Sequence, residues 1–196
     1  MDFLFLEQNY TFTCHYLLEK MELVQRIKDA IREVKDFPKQ GIYFKDITPI
    51  LKNPKLCNDI ADDIVRKVKD LKPDAIACVE SRGFWFGMLV AQKLNIPFIP
   101  IRKLGKLPYD TMSYTYELEY GKATMEIHTD ALKKGWNVLI HDDLLATGGT
   151  ACAAAELIKM QEANIAGFCF VVDLSFLGGD EKIRNYSENV ISLVTY

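Results

Sequence analysis

Residues 138–150 read Val138-Leu139-Ile140-His141-Asp142-Asp143-Leu144-Leu145-Ala146-Thr147-Gly148-Gly149-Thr150: an apolar run, two adjacent acids, then small residues feeding an alanine-rich segment. The apolar run is short enough for a buried strand, predicted over Asn137–His141, and the spacing of Ala151–Glu162 predicts a helix. In open α/β sheets ligands bind beyond the carboxyl ends of the strands. Glycines there let backbone N–H groups close around an anion, Thr147 and Thr150 add hydroxyl donors, and the following helix presents its positive end. Ala146, Thr147, Gly148, Gly149 and Thr150 thus read as a phosphate cradle. Asp142 and Asp143 beside it are placed to accept hydrogen bonds from the vicinal hydroxyls of a ribose whose 5′-phosphate lies in the loop. The implied ligand is a sugar phosphate. No G-x-x-x-x-G-K-[ST] or G-x-G-x-x-G motif directs the reading to a nucleoside triphosphate or a dinucleotide. A bare Asp-Asp pair is usually a solvated strand end or, less often, a metal site; the small-residue loop after a strand is what makes this one specific.

Outward from this stretch the same rhythm recurs. Ala75–Val79 is an apolar run, followed by Glu80-Ser81-Arg82-Gly83, a helical pattern over Phe84–Leu94 and a second apolar run, Phe98–Ile101. With a further strand at Phe168–Val172, these units predict an open α/β fold with a mainly parallel sheet flanked by helices. Between Arg102 and Gly135 the pattern loosens into a long mobile loop running into a hairpin, where alternating tyrosines at Tyr114 and Tyr116 read as one face of an exposed ribbon. Upstream, Met21–Val34 and Pro54–Leu71 are amphipathic helices. Phe37-Pro38-Lys39-Gln40-Gly41 and Lys45–Pro49 form a structured loop between them. The predicted organisation is an N-terminal extension of uncertain status, residues 1–20, then one domain over 21–196 with a small hood at about 21–73 and a core at about 74–196. Met21 is an alternative start.

Composition narrows the function classes. The chain has 196 residues, of which 49% are hydrophobic and 26% charged, values of an ordinary folded domain and not of a disordered chain. A net charge of −3 gives no basic field for nucleic acid or anionic membranes. No apolar run reaches the roughly 20 residues of a membrane span, and the opening segment lacks the charged start and cleavage site of a secretory signal. The five cysteines, Cys14, Cys57, Cys78, Cys152 and Cys169, are scattered without a C-x-x-C pair. Together these predict a cytoplasmic protein.

Residues 142–150 resemble the phosphoribosyl-pyrophosphate loop of type I phosphoribosyltransferases. Glu80-Ser81-Arg82-Gly83-Phe84, Arg102-Lys103-Leu104-Gly105-Lys106-Leu107-Pro108, Tyr116-Glu117-Leu118-Glu119-Tyr120-Gly121 and Asp36-Phe37-Pro38-Lys39-Gln40-Gly41-Ile42-Tyr43-Phe44-Lys45-Asp46-Ile47 resemble the adenine phosphoribosyltransferase family, in the right order over about residues 21–196. The resemblance implies the family fold and transfer of a phosphoribosyl group to adenine. It also implies Mg2+ carried mainly by the substrate diphosphate rather than a metal site of the protein, and a homodimer.

The resemblance assigns roles residue by residue. Glu119 becomes the acid/base near purine N7 and Tyr120 closes over the site. Phe44 stacks on the base, backbone groups at Tyr43 and Lys45 read its edge, and Leu174 packs on its other face. Ser81 and Arg82 follow a strand end, where the loop can grip the pyrophosphate through backbone N–H groups while Arg82 supplies charge near the base, and Arg102, Lys103 and Lys106 concentrate positive charge that suits a leaving diphosphate. Gln40 stands where the family commonly has proline, and His141 where a hydrophobic residue is common. Two other readings keep the phosphate loop: a 6-oxopurine enzyme, and a sensor of phosphoribosyl pyrophosphate that binds nucleic acid, against which the chain has no basic stripe.

Overall fold

The computed structural model describes residues 21–118 and 121–196, which fall into two compact units divided between Asp59 and Ile60. In the first, residues 21–30 are helical (α1). The chain then forms β1 (Arg32–Lys35), paired antiparallel with β2 (Tyr43–Asp46). Periodicity alone carries the helix to Val34. The structure ends it at residue 30 because Val34 pairs across with Phe44 and the Arg32 guanidinium grips Asp46 at 2.5 Å, tertiary pairing that outweighs local propensity. Asp46 also accepts from the Thr48 N–H at 2.9 Å and hydroxyl at 2.7 Å, joining the hairpin to a 3-10 turn, Thr48–Lys52. Burial pushes the Asp46 carboxyl up, but Thr48 and Arg32 together outweigh it and hold it at about 2. The segment expected as a structured loop is therefore a hairpin and a capped turn. α2 (Pro54–Val68) follows, with Asn53 Oδ1 accepting the Leu56 N–H at 3.1 Å as an N-cap.

The second unit holds a seven-stranded sheet in the order β5-β6-β4-β3-β7-β8-β9. Its strands are β3 (Ala75–Val79), β4 (Phe98–Lys103), β5 (Thr111–Leu118), β6 (Gly121–His128), β7 (Asn137–Leu145), β8 (Asn164–Asp173) and β9 (Val190–Thr195). Strands β4, β3, β7, β8 and β9 run parallel, as the β-loop-α-β rhythm predicts. The chain steps from β3 to β4 on one side and later returns to β7 on the other, so the winding reverses between β3 and β7. That reversal opens a crevice at the carboxyl edge, where doubly wound sheets bind ligands. Central strands are buried on both faces. Ala77, Ile140, Phe168 and Phe170 join α4 (Gly149–Met160) in one apolar cluster, while Cys78 and His141 face Gly87 of α3 (Gly83–Leu94).

Two features differ from the sequence reading. Between Arg102 and Gly135 the expected hairpin is present as β5–β6, paired without interruption from Thr111↔His128 to Leu118↔Gly121 and joined to β4 through Arg102↔Glu126 and Lys103↔Met125, but the long loop expected before it is confined to residues 104–110. Tyr114 and Tyr116 are half-buried against the core cluster, not one face of an exposed ribbon, because α4 covers that side of β5. Strand β7 also runs four residues past His141, so the two acids belong to the strand and not to the loop. A short helix, α5 (Gly179–Ile183), and β9 complete the unit without having been predicted.

His141 is fully buried in the central sheet. Its Nδ1 lies 2.9 Å from the Cys169 carbonyl, which can only accept, so Nδ1 carries the proton. Nε2 is buried with no hydrogen-bond partner. Protonating it would strand a charged donor in the core, and burial accordingly lowers its pKa to about 4 despite the Cys169 carbonyl. The unfolded chain therefore binds a proton that the folded chain refuses, and stability present above about pH 6.5 is lost as pH falls towards 4. Between pH 7 and pH 5 this amounts to about 2 kcal/mol. His141→Val should flatten that part of the unfolding free energy against pH; equal slopes in both proteins would remove His141 as the cause.

Candidate active site

The crevice is built from the loops that leave β3, β4, β7 and β8 at the same edge. Strand β7 delivers Asp142 and Asp143, and residues 146–150 turn into α4. The first N–H groups of a helix lack acceptors within it, so this turn offers donors to an anion. Gly148 takes the left-handed conformation, φ 80°, and a Cβ there would come within 2.8 Å of the Gly179 carbonyl. A Cβ on Gly179 would in turn overlap the Ala146 carbonyl. The loop and the start of α5 are pressed backbone to backbone, and glycine on both sides is what permits it. The hollow that results, open to solvent, is lined by Asp142, residues 144–151 and Phe170. Tyr116 reaches it from the hairpin: its hydroxyl lies 3.2 Å from Thr150 Oγ1.

Asp143 is buried, with Arg82 Nε 3.1 Å from its Oδ2 in an ion pair that lacks hydrogen-bond geometry. Asp142 lines the hollow, and its Oδ1 accepts the Asp143 N–H at 2.8 Å. Burial, then the charge of Asp143, push the Asp142 carboxyl well above the usual carboxylate range. Burial also raises Asp143, against the pull of Arg82. Two adjacent carboxylates held this way are costly unless something supplies hydrogen bonds to them, which marks the pair as a functional feature.

Ser81 and Arg82 lie between β3 and α3, joined to the strand through a cis peptide between Glu80 and Ser81. The three cations at the end of β4 and in the turn after it separate into two kinds. Arg102 is held within the loop architecture: Nε binds Glu80 at 2.7 Å and Nη1 donates to the Lys106 carbonyl at 2.8 Å. Lys103 and Lys106 are exposed. The turn that carries them is fastened from below by Glu126 of β6, a buried carboxylate that accepts the N–H groups of Lys106 at 2.9 Å and Leu107 at 2.8 Å and the Thr111 hydroxyl at 3.4 Å. Burial raises its pKa, but these donors more than offset it and hold it below the usual range. Sequence reasoning missed Glu126, Glu80 and Gly179; a buried acid in the alternation of β6 was the one available signal.

Leu174 follows β8, its N–H donating to the Leu145 carbonyl at 2.9 Å, which sets it beside the root of the 146–150 turn. Tyr43, Phe44 and Lys45 lie together on β2 of the first unit. Phe44 meets Phe37 edge to face at 5.1 Å, Tyr43 is exposed, and Lys45 pairs with Glu33 at 2.5 Å. Glu119 and Tyr120 lie outside the described residues; Leu118 and Gly121, which flank them, are paired with each other.

Comparison with known proteins is consistent with this geometry. Residues 46–191 match the phosphoribosyl transferase domain family. The adenine phosphoribosyltransferase of Cytophaga hutchinsonii is 52% identical over 174 residues, covering 89% of this chain and 96% of the relative. The chain belongs to the adenine phosphoribosyltransferase family. The crystal structure of the family member from Thermoanaerobacter pseudethanolicus superposes with a TM-score of 0.85 at 46% identity, over 88% of this chain and 99% of that one. That from Saccharomyces cerevisiae, complexed with an imino-altritol bisphosphate and adenine, gives 0.83 at 40% identity over 88% and 99%.

The raised carboxyl of Asp142 gives a signed expectation. A carboxylate whose pKa is higher folded than unfolded destabilises the fold above its unfolded value and ceases to do so as pH falls to that value. Asp142→Asn keeps the acceptor for the Asp143 N–H and removes the charge, so it should raise stability at pH 8. The gain should vanish near pH 4. Melting curves across pH check this; a variant less stable than the parent at pH 8 would contradict it.

Proposed function

We propose that the protein transfers the 5-phosphoribosyl group of phosphoribosyl pyrophosphate to adenine, giving AMP and pyrophosphate, a purine-salvage step. The observation that carries this reading is the acid pair and glycine-threonine turn of residues 142–150 at the carboxyl edge of the winding reversal, in a chain 52% identical to an adenine phosphoribosyltransferase. Residues 146–150 hold the 5′-phosphate, and Asp142 and Asp143 accept hydrogen bonds from the ribose 2′ and 3′ hydroxyls. Bringing donors to the pair relieves the burial that raises it, which is where ligand binding gains. Ser81 and Arg82 face the diphosphate together with Lys103 and Lys106. Arg102 serves that turn by shaping it, given its bonds to Glu80 and the Lys106 carbonyl.

Adenine N9 bonds to the anomeric carbon as the bond to the diphosphate oxygen breaks, the electron pair leaving with pyrophosphate, and Glu119 takes up the proton at N7. Phe44 stacks on the base, Tyr43 and Lys45 read its edge through the backbone, Leu174 covers the opposite face, and Tyr120 excludes water from the cation-like centre. Among the described residues no three His, Cys, Asp or Glu side chains converge into a metal cage. Mg2+ carried on the diphosphate would be held mainly by the substrate's own oxygens, and Asp142 and Asp143 are the crevice carboxylates that could approach it. The ion's contribution is charge neutralisation of the leaving group.

A homodimer in the cytoplasm is the expected setting, on the family resemblance and on cysteines that are free where described, Cys57, Cys78, Cys152 and Cys169. Among the described residues no helix is long and apolar enough to cross a membrane, and the net charge of −3 offers no general attraction for nucleic acid.

Purified protein given phosphoribosyl pyrophosphate, Mg2+ and, in parallel, adenine, hypoxanthine, guanine or xanthine should form a nucleotide from adenine alone. Glu119→Gln should reduce kcat by about 10²–10⁴-fold, the range of a lost general acid/base. Turnover of a 6-oxopurine would overturn the base assignment, and no turnover with any base would overturn the reaction.

A further inference from the structure

We propose that Tyr116 is a positioning residue through which the 5′-phosphate in the Thr147–Thr150 turn fastens the β5–β6 hairpin, an inference that rests on reading that turn as the 5′-phosphate site. Tyr116 sits on β5 three residues before Glu119, on the strand face that packs against α4 and the core cluster. Its ring lies over Gly149, where a Cβ would stand 3.6 Å from Cδ2 and Cε2, and its hydroxyl is 3.2 Å from Thr150 Oγ1. These contacts join the hairpin to the first turn of α4.

A threonine hydroxyl has one proton and two lone pairs, and so does a tyrosine hydroxyl as donor and acceptor, so the pair can bond in either direction. A phosphate oxygen removes that freedom. It accepts only, so Thr150 must give its proton to the anion, and Tyr116 is then left to donate to Thr150. The two bonds run in series, Tyr116 to Thr150 to phosphate, and each polarises the next. Tyr116 thus senses the anion without touching it. Because β5 continues to Leu118, and Leu118 pairs with Gly121, the strand ends that bracket Glu119 and Tyr120 are steadied by the same bond. Binding energy from the phosphate end of the substrate is thereby spent on placing the acid/base segment, which makes the 5′-phosphate matter for kcat as well as for KM.

Ribose 5-phosphate, titrated calorimetrically into the full-length protein, tests this without requiring turnover. Tyr116→Phe keeps the ring on Gly149 and should weaken binding about twofold, because the bond to Thr150 is already made in the unliganded protein and only its strengthening by the anion is lost. Thr150→Val should weaken binding further, and Tyr116→Phe should then add nothing in the Thr150→Val background, since the chain is already cut. Hydrogen exchange of residues 111–118 should slow on adding ribose 5-phosphate to the parent and not to Tyr116→Phe. In steady state kcat and kcat/KM for phosphoribosyl pyrophosphate should fall in that variant while KM for adenine stays within about twofold. Parental affinity and exchange in Tyr116→Phe, or independent penalties in the double variant, would overturn the inference alone. Failure of the parent to bind ribose 5-phosphate would overturn the phosphate-loop reading with it, whereas turnover of a different base would leave the inference standing.

Discussion

The ion pair between Arg82 and Asp143 ties together the two strands between which the winding of the sheet reverses. Asp143 ends up nearly sealed from water at the carboxyl edge of β7, with a second carboxylate directly before it. Neither acid would be placed there for stability, because a buried charge costs more than one partly aligned ion pair returns. Arg82, presented at the start of α3, makes the placement tolerable by supplying the compensating charge from the neighbouring strand's loop. The parallel strands, covered on both faces, supply the rigidity that keeps the acids from relaxing into solvent. The site is thus a strained edge on an otherwise apolar sheet, which is the arrangement expected where affinity is to be drawn from a ligand's hydroxyls and not from the protein itself.

Much of this was legible from residue order, and the gaps have physical causes. The parallel core was readable because its strands are short apolar runs separated by helical periodicity, signals that survive without tertiary context. Residues 32–34 were misread as helix because their strand character comes from Asp46 and Phe44, ten or more residues away and invisible to a local period. The length of β7 was underestimated because charged residues ordinarily end a buried strand, and here Arg82 is what lets the strand carry them. The tyrosines of β5 read as solvent-facing since alternation announces two faces without saying which is covered; α4 decides that. At the site, residues 142–150 were legible as a unit. The support from Glu126 and Gly179 was not, because a buried acid and a glycine acquire meaning only from the backbone groups they meet. Glu119 and Tyr120, assigned through the family motif, lie beyond what the structure describes.

The basic turn after β4 illustrates how the fold separates shape from charge. Three cations in five residues look interchangeable in sequence, yet Arg102 is bound on both sides of its guanidinium while Lys103 and Lys106 project outward. A planar, multiply donating group suits the architectural task, and compact ammonium groups suit contact with an arriving polyanion. Glu126 completes the division by filling the backbone donors on the inner side of the turn. What the turn presents to solvent is therefore side-chain charge and not an open backbone nest.

Among the described residues the hairpin joins the sheet near its base, through Arg102↔Glu126, Lys103↔Met125 and the Leu104 N–H donating to the Thr124 carbonyl at 3.0 Å. From Met125 to Gly121 at the far end the ribbon extends about 14 Å at the usual rise per residue. It is a cantilever, and angular displacements at the root are magnified along it: a tilt of roughly 10° moves the end by about 2–3 Å, the difference between a made and a broken hydrogen bond. A beam of this kind needs a brace partway along its span, and the face of β5 that rests on α4 supplies one. Mechanical stiffness where Leu118 pairs with Gly121 is therefore set in the middle of the strand.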